Sequence, residues 1–431
     1  MKCSQKSEAD DGTFSVRRMA YTMTQTTPKG FRLHIGLFGR RNVGKSSLLN
    51  AIVRQQVSIV SEHAGTTTDP VEKPMELLPL GPVLFIDTAG IDDEGALGNL
   101  RIDKTRQVLN RVDIGVIVSD GVWADFEQKL LGELTGREVP VVIVFNKIDL
   151  VQPSVEILTQ LDTAKIRTVK TSCQNNDGIL NFRQALLDLA PAEFIDNPTI
   201  AGDIVGPGQT AVLVIPIDKE APKGRLILPQ VQTIRDLLEN DALCMVVKDS
   251  ELTAALDSLK QPPKLVVTDS QAFAKVSADT PPEVLMTGFS VLYARLKGDL
   301  VTQTLGAMAV EQLKPRDRVL IAETCTHHPI EEDIGRVKIP KWLTEYVGGE
   351  LHFTTVQGQD FPEDLSPYKL VIHCGACMWN RRMMLNRILQ CRRAGVPITN
   401  YGLVIAYSLG VFERALKPFP AALDAYKNNA K

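Results

Sequence analysis

The sequence predicts an α/β protein of three successive α/β domains, and three observations predict it. Apolar runs of strand length alternate with helical segments through residues 31–190, the rhythm of a mostly parallel sheet. Pro191, Pro198, Gly202, Gly206, Pro207 and Gly208 then interrupt the chain, and breakers at that density mark a linker. The alternation restarts after them and again beyond residue 297. With 431 residues, the chain is too long for one ordinary core.

The divisions expected on this basis are an arm at 1–30, a first domain at 31–197, a middle domain at 198–297 and a third at 298–431. In the first, Leu33–Phe38, Val83–Ile86, Ile114–Val118 and Val141–Phe145 read as strands. In the middle domain Ala211–Pro216, Leu243–Val247 and Leu265–Thr268 read as strands, Val231–Asn240 and Ser250–Leu259 as helices. No ligand constellation stands among them, so the middle block reads as a scaffold or association domain. In the third, Val319–Ala322 and Leu370–His373 are strands and Met378–Ala394 a helix. The opening stretch is polar, with Glu8, Asp10 and Asp11. It lacks the apolar core of a secretory signal, its acids argue against a transit peptide, and it reads as a mobile arm or an appended remnant.

Composition bounds the partners. Hydrophobic residues make up 44%, charged residues 23%, and the formal net charge is -3. That is a soluble globular composition without a broad basic footprint, so nucleic acid is not expected. No apolar run reaches the roughly 20 residues that span a bilayer, and the expectation is a cytoplasmic protein with no membrane contact. The cysteines, Cys3, Cys173, Cys244, Cys325, Cys374, Cys377 and Cys391, are odd in number and unevenly placed, which is not a disulfide framework.

The first domain carries a phosphate-binding pattern. Gly39-Arg-Arg-Asn-Val-Gly44-Lys45-Ser46 fits GxxxxGK[ST] between a strand and a helix. Its glycines let the backbone wrap a phosphate so that successive N–H groups, from Asn42 and Val43 through Ser46 and Ser47, point at it. Lys45 would reach the β and γ phosphates and the Ser46 hydroxyl would bind Mg2+. Asp87-Thr88-Ala89-Gly90 follows an apolar strand; Asp87 would hold Mg2+ through water, and the Gly90 N–H would sense the γ-phosphate. Within Gly65-Thr66-Thr67-Thr68, Thr67 is the expected third metal contact, by similarity to GTPases with such a segment.

Base choice comes from Asn146-Lys147-Ile148-Asp149. The Asp149 carboxylate can accept from both the N1 and N2 donors of guanine, and adenine lacks the amine. Thr171-Ser172-Cys173 would offer backbone N–H groups, from Ser172 and Cys173, to the guanine carbonyl. In this order the segments resemble the translation-factor-related GTPases of the Era and tRNA-modifying type. The expectation is a P-loop GTPase domain that binds GTP and GDP, with Lys45, Thr67 and Gly90 as its catalytic groups. Ile91 stands where Ras-like enzymes carry the glutamine that orients water, so intrinsic hydrolysis is expected to be slow. Asn42 suggests stimulation by K+, because related GTPases with asparagine there bind that ion beside the phosphates.

The third domain carries a different chemistry. Glu323-Thr-Cys325-Thr-His327-His328 follows one predicted strand and His373-Cys374-Gly-Ala-Cys377 another. Ligand sites form at the C-terminal ends of such strands. Zinc would take Cys325, Cys374, Cys377 and one histidine. An iron–sulfur cluster would take the three thiolates and leave one iron with a weaker ligand. Buried, unliganded cysteine is the bland alternative. Residue types alone leave zinc and iron–sulfur both open, and with zinc the chain would read as a regulatory GTPase of RNA modification or ribosome assembly.

A GTPase domain, a middle domain and a Cys-x-His…His-Cys-x-x-Cys pattern together resemble the HydF family of FeFe-hydrogenase maturation GTPases. The resemblance implies a 4Fe–4S cluster on Cys325, Cys374 and Cys377. The fourth ligand stays open: Glu323, His327, His328 and His373 all stand close in sequence to the cysteines, and His373 is also a candidate donor to a cluster sulfur. The resemblance also implies dimerisation through the middle domain, homotetramer formation through the third, and a scaffold or carrier role for the two-iron subcluster precursor as cargo. The partners it implies are two radical-SAM maturases and apo FeFe-hydrogenase.

Overall fold

The computed structural model describes residues 27–54, 70–88, 104–191, 194, 199–217, 226–324, 333–358 and 360–430. Three sheets organise them. The first comprises β1 (Leu33–Phe38), β2 (Val71–Leu77), β3 (Gly81–Asp87), β4 (Ile114–Ser119), β5 (Val141–Phe145) and β6 (Arg167–Lys170), in the order β2-β3-β1-β4-β5-β6. All neighbours are parallel except β2, which runs antiparallel to β3. Every residue of β1, β4 and β5 is buried, as required of parallel strands covered on both faces. The edge strand β2 is half-buried and contains Pro74, a residue tolerated where no partner needs its N–H.

The middle sheet has the order β10-β9-β7-β8, from β7 (Thr210–Val214), β8 (Leu243–Val247), β9 (Leu265–Thr268) and β10 (Leu285–Gly288). The third has the order β12-β11-β13-β14, from β11 (Arg318–Glu323), β12 (His352–Gln357), β13 (Leu370–His373) and β14 (Ile398–Asn400). Both are wholly parallel. In the third sheet the chain moves from β11 to β12 on one side and then to β13 on the other. The crevice between the ends of β11 and β13 is therefore the switch point at which open α/β sheets bind ligands.

The helix expected over Met378–Ala394 starts at Arg381 instead. Asn380 caps it, its Oδ1 accepting from the Met383 N–H at 3.3 Å, and a side chain that satisfies an orphan donor fixes the start more firmly than apolar periodicity. The expected strand Ala211–Pro216 likewise ends at Val214. Of the expected arm, Lys29 and Gly30 join Phe31 in a 3-10 turn with Gly30 buried; a Cβ on Gly30 would lie 2.6 Å from the Trp379 carbonyl oxygen.

Packing divides the molecule unequally. Each face of the first sheet has its own apolar core. One continuous core runs from Val212 and Leu213 of β7 through Leu292 and Leu403 to Val319 and Ile372 of the third sheet. The middle and third domains thus share apolar burial, the non-directional term that dominates folding. The first domain meets the third through polar groups: Asn380 Nδ2 donates to Arg111 O at 2.7 Å, Asn386 Nδ2 to Asn110 O at 2.6 Å, and Arg393 Nη2 to Gly136 O at 2.7 Å.

Candidate functional site

The nucleotide cradle is built on the C-terminal ends of β1, β3 and β5. After β1 the chain turns through Gly39 and Gly44, at φ 147° and 95°, where an L side chain is strained. A Cβ on Gly44 would lie 2.2 Å from Asn146 Nδ2, so only glycine lets this loop approach the Asn146 side chain. Asn42 adopts φ 63°, which asparagine tolerates better than most residues. Lys45 opens the helix Lys45–Arg54, and its Nζ is held by Gly39 O at 2.9 Å and Arg40 O at 2.8 Å. Arg40 is anchored in turn by a two-pronged contact with buried Glu127, at 2.8 and 3.0 Å, the geometry that makes guanidinium–carboxylate pairs specific.

Ser46 Oγ donates to Asp87 Oδ2 at 2.5 Å. The other oxygen, Asp87 Oδ1, is buried without a hydrogen-bond partner among the described residues, and burial raises the Asp87 pKa against the pull of Ser46 and Lys45. A hydroxyl beside a desolvated carboxylate with an orphaned oxygen fits a hard divalent cation, and Ser46 and Asp87 would hold Mg2+ here. Thr67 and Gly90, and with them Ile91, lie outside the described residues.

Asn146 ties the cradle together. Its Nδ2 donates to Val43 O at 2.9 Å, and its Oδ1 accepts from Thr171 Oγ1 at 3.1 Å and Cys173 Sγ at 3.2 Å. One side chain therefore fixes the phosphate loop to the Thr171–Cys173 segment, where Ser172 is fully buried. Lys147 Nζ donates to Asn42 O at 2.5 Å and faces Asp120 at 3.9 Å. Asp149 stays exposed at the mouth, its carboxylate available to a base.

The cysteine crevice sits at the switch point of the third sheet. Ala322 of β11 pairs with His373 of β13, which brings Thr324 and Cys374 together just past the strand ends. The Thr324 N–H points at Cys374 Sγ over 3.2 Å, and Thr324 Oγ1 lies 3.3 Å from the same sulfur. Cys325 and His327 lie outside the described residues, but Cys325 is the next residue along the chain. Cys377 stands inside the turn closed by the Trp379 N–H on Ala376 O at 3.0 Å; Ala376 takes φ 51°, and a Cβ on Gly375 would meet no described atom within 4 Å. No group of three metal-ligating side chains occurs among the described residues. Two half-buried thiols in one open turn, beside the residue that precedes a third cysteine, nonetheless form a donor set that fits a cluster held by thiolates.

His373 is fully buried. Arg387 Nη1 lies 2.7 Å from its Nε2, and its Nδ1 is 2.7 Å from Cys374 O. A guanidinium can only donate, so Nε2 accepts and Nδ1 carries the proton. Burial, then Arg387, holds the imidazole down at about 3. Both nitrogens are thereby occupied, and the ring orients the Cys374 backbone. Glu323, also buried, accepts from Arg336 and Gln357 at 3.2 Å each and from Tyr401 at 3.3 Å.

Arg387, Trp379, Asn380 and Asp113 escape a motif-based reading. They stand in helix, cap and strand-lead positions of ordinary composition. Only the Asn380 cap has a local signal, a short polar side chain immediately before an apolar-periodic run.

Fold and crevices define the class: a P-loop GTPase domain joined to two further parallel α/β domains, the last bearing a cysteine site. Family profiles agree, with that of the 50S ribosome-binding GTPase matching residues 34–147. That of the hydrogen maturase F dimerization domain matches residues 200–298, and that of its tetramerization domain residues 302–418. These last two together cover half of the chain, which belongs to the hydrogen maturase F (HydF) family. GTPase Der of Wolinella succinogenes is 40% identical over 123 residues, 27% of this chain and 26% of that protein. tRNA modification GTPase MnmE of Exiguobacterium sibiricum is 34% identical over 180 residues, 40% of this chain and 39% of that protein. The chain thus spans between about a quarter and two-fifths of these relatives' lengths. Among solved structures, a variant of Aquifex aeolicus Era bound to GDP.AlF4- has a TM-score of 0.31 at 20% identity, over 50% of this chain and 92% of that one. The G domain of the T. maritima FeoB iron transporter has a TM-score of 0.29 at 21% identity, over 37% and 99% respectively. No helix among the described residues is long and apolar enough to cross a membrane.

Proposed function

We propose that this chain is a cytoplasmic, GTP-hydrolysing scaffold that holds a 4Fe–4S cluster on Cys325, Cys374 and Cys377. In this reading it carries the two-iron subcluster precursor and delivers it to apo FeFe-hydrogenase, in concert with two radical-SAM maturases and as a homodimer or homotetramer. The observation that carries the reading is the approach of the Thr324 N–H to Cys374 Sγ at 3.2 Å, one residue from Cys325 and at the switch point of a parallel sheet. The family descriptions support both the role and the self-association.

The residues divide the work. Lys45 and the 39–47 backbone bind and orient the phosphates, Ser46 and Asp87 hold Mg2+ with Thr67, and Asp149 selects guanine. Mg2+, when bound, neutralises phosphate charge; K+ beside Asn42 would add charge where an arginine finger acts in other GTPases. In the crevice Thr324 donates to a ligand sulfur, and hydrogen bonds to sulfur are among the factors that set a cluster's potential. His373 has no nitrogen left for iron. Glu323 has two oxygens and three donors, so lone-pair capacity remains, and Glu323 and His327 are the candidates for an exchangeable fourth ligand.

The test is delivery. The full chain, loaded by the two maturases, is mixed with apo-hydrogenase and hydrogen evolution is followed. Activation that is lost in Cys374→Ser supports the proposal, and equal activation by that variant contradicts it.

A further inference from the structure

We propose that Arg387 is the built-in counter-charge of the cysteine crevice, a positioning residue that orients Cys374 through His373 and raises the reduction potential of a cluster held there. This inference rests on the cluster reading above.

Arg387 is 4% exposed. One prong of its guanidinium meets His373 Nε2 at 2.7 Å and the other Gly358 O at 2.7 Å. Its guanidinium carbon lies over the Trp379 ring, 4.2 Å from the centroid, and over the Phe361 ring, at 4.5 Å. These partners are all neutral, and no carboxylate pairs with Arg387 among the described residues. A caged cation without an anion is costly to bury.

Through His373, whose Nε2 meets Arg387 and whose Nδ1 lies 2.7 Å from Cys374 O, the guanidinium is joined to the backbone of the cysteine turn. Cys391 is fully buried in the apolar core. The half-buried Cys374 is the cluster-ligand candidate at the end of this chain of contacts, and the charge stands behind it. The cage then has a function: it holds the charge at a fixed distance from the site in a medium where fields act strongly. His373, locked between Arg387 and the Cys374 carbonyl, transmits the position.

Reduction of a 4Fe–4S cluster by one electron adds one negative charge to the site. A fixed cation nearby stabilises the reduced form more than the oxidised one, so its removal makes the potential more negative. The full chain and its Arg387→Met and Arg387→Lys variants are reconstituted anaerobically, and each cluster is titrated with dithionite under EPR. Thermal unfolding serves as the folding check.

The expected result is a shift in Arg387→Met of about tenfold against reduction, or ~59 mV for one electron, with most of it recovered in Arg387→Lys. An unchanged potential in Arg387→Met overturns the inference while leaving the cluster reading intact. Failure of the unsubstituted chain to take up iron overturns the cluster reading itself. If Arg387→Met assembles no cluster, Arg387→Lys decides: a near-parental potential supports the inference, and loss of the cluster there too contradicts it, because the charge was kept.

Discussion

Asn380 Nδ2 donates to the carbonyl of Arg111 at 2.7 Å and lies 3.3 Å from Asp113 Oδ2. Asn380 stands three residues beyond Cys377 and caps the helix Arg381–Ala394. Arg111 closes the segment that follows the GTPase helix at 104–109, downstream of Asp87 and Gly90. One side chain thus ties the cysteine turn to the first domain, at the segment that leads into β4.

Replacing Asn380 by alanine should cost about 1 kcal/mol as a lost cap and sever the coupling. With GTP added, amide hydrogen exchange in residues 381–394 should change in the parent and not in Asn380→Ala. An identical GTP effect in both proteins would show that the signal travels elsewhere.

Asp149 is exposed at the cradle mouth and accepts two donors in the proposed guanine contact. Asp149→Asn sets an amide donor against one of them, so GTP affinity should fall about 10- to 100-fold. Xanthosine triphosphate, which has a carbonyl where guanine has the amine, should bind the variant better than GTP does. Calorimetry with both nucleotides checks this, and a variant that still prefers GTP contradicts the assignment.

Asn42 takes a left-handed φ of 63° and its carbonyl accepts from Lys147 at 2.5 Å. Hydrolysis by the full chain is expected to run several-fold faster in KCl than in NaCl, with the difference abolished in Asn42→Ala. Equal rates in the two salts would exclude a potassium contribution.

His34 and Asp113 oppose each other in pH dependence although they are bonded, with the His34 N–H 2.8 Å from Asp113 Oδ2. Burial holds His34 at about 4, below the ordinary histidine value near 6.5. Between those values the unfolded chain binds the extra proton, so this contribution is full above about 6.5 and is lost as pH falls towards 4. Burial raises Asp113 to about 6; between about 4 and 6 the folded chain keeps the proton, and stability from this group falls as pH rises. Relative to the parent, the thermal midpoint of His34→Gln should therefore gain as pH drops from 6.5 to 4. The advantage of Asp113→Asn should shrink over the same range. Parallel curves for all three proteins would contradict both assignments.

Sequence and structure agree where a motif is contiguous or an apolar run is long. The phosphate loop, the Asp87 strand, the Asn146–Asp149 segment and the cores of β1, β5 and β11 were all legible as patterns. Strand β2 was not, because Glu72, Lys73, Pro74 and Glu76 leave no alternation to read; its place is set by pairing with β3. The helix starts at Arg381 and not at Met378 because the Asn380 cap decides the boundary, although Met378 and Trp379 extend the apolar run. Arg387 was invisible for another reason: mid-helix arginine is ordinarily solvated, and only the three-dimensional approach of Trp379, Phe361 and His373 gives it a cage.

The central claim is that Cys325, Cys374 and Cys377 hold an iron–sulfur cluster, and anaerobic reconstitution followed by metal analysis and EPR tests it most directly. The account predicts about four irons per chain, an EPR signal on reduction, and loss of both in each cysteine-to-serine variant. Tightly bound tetrahedral zinc with no iron would contradict it.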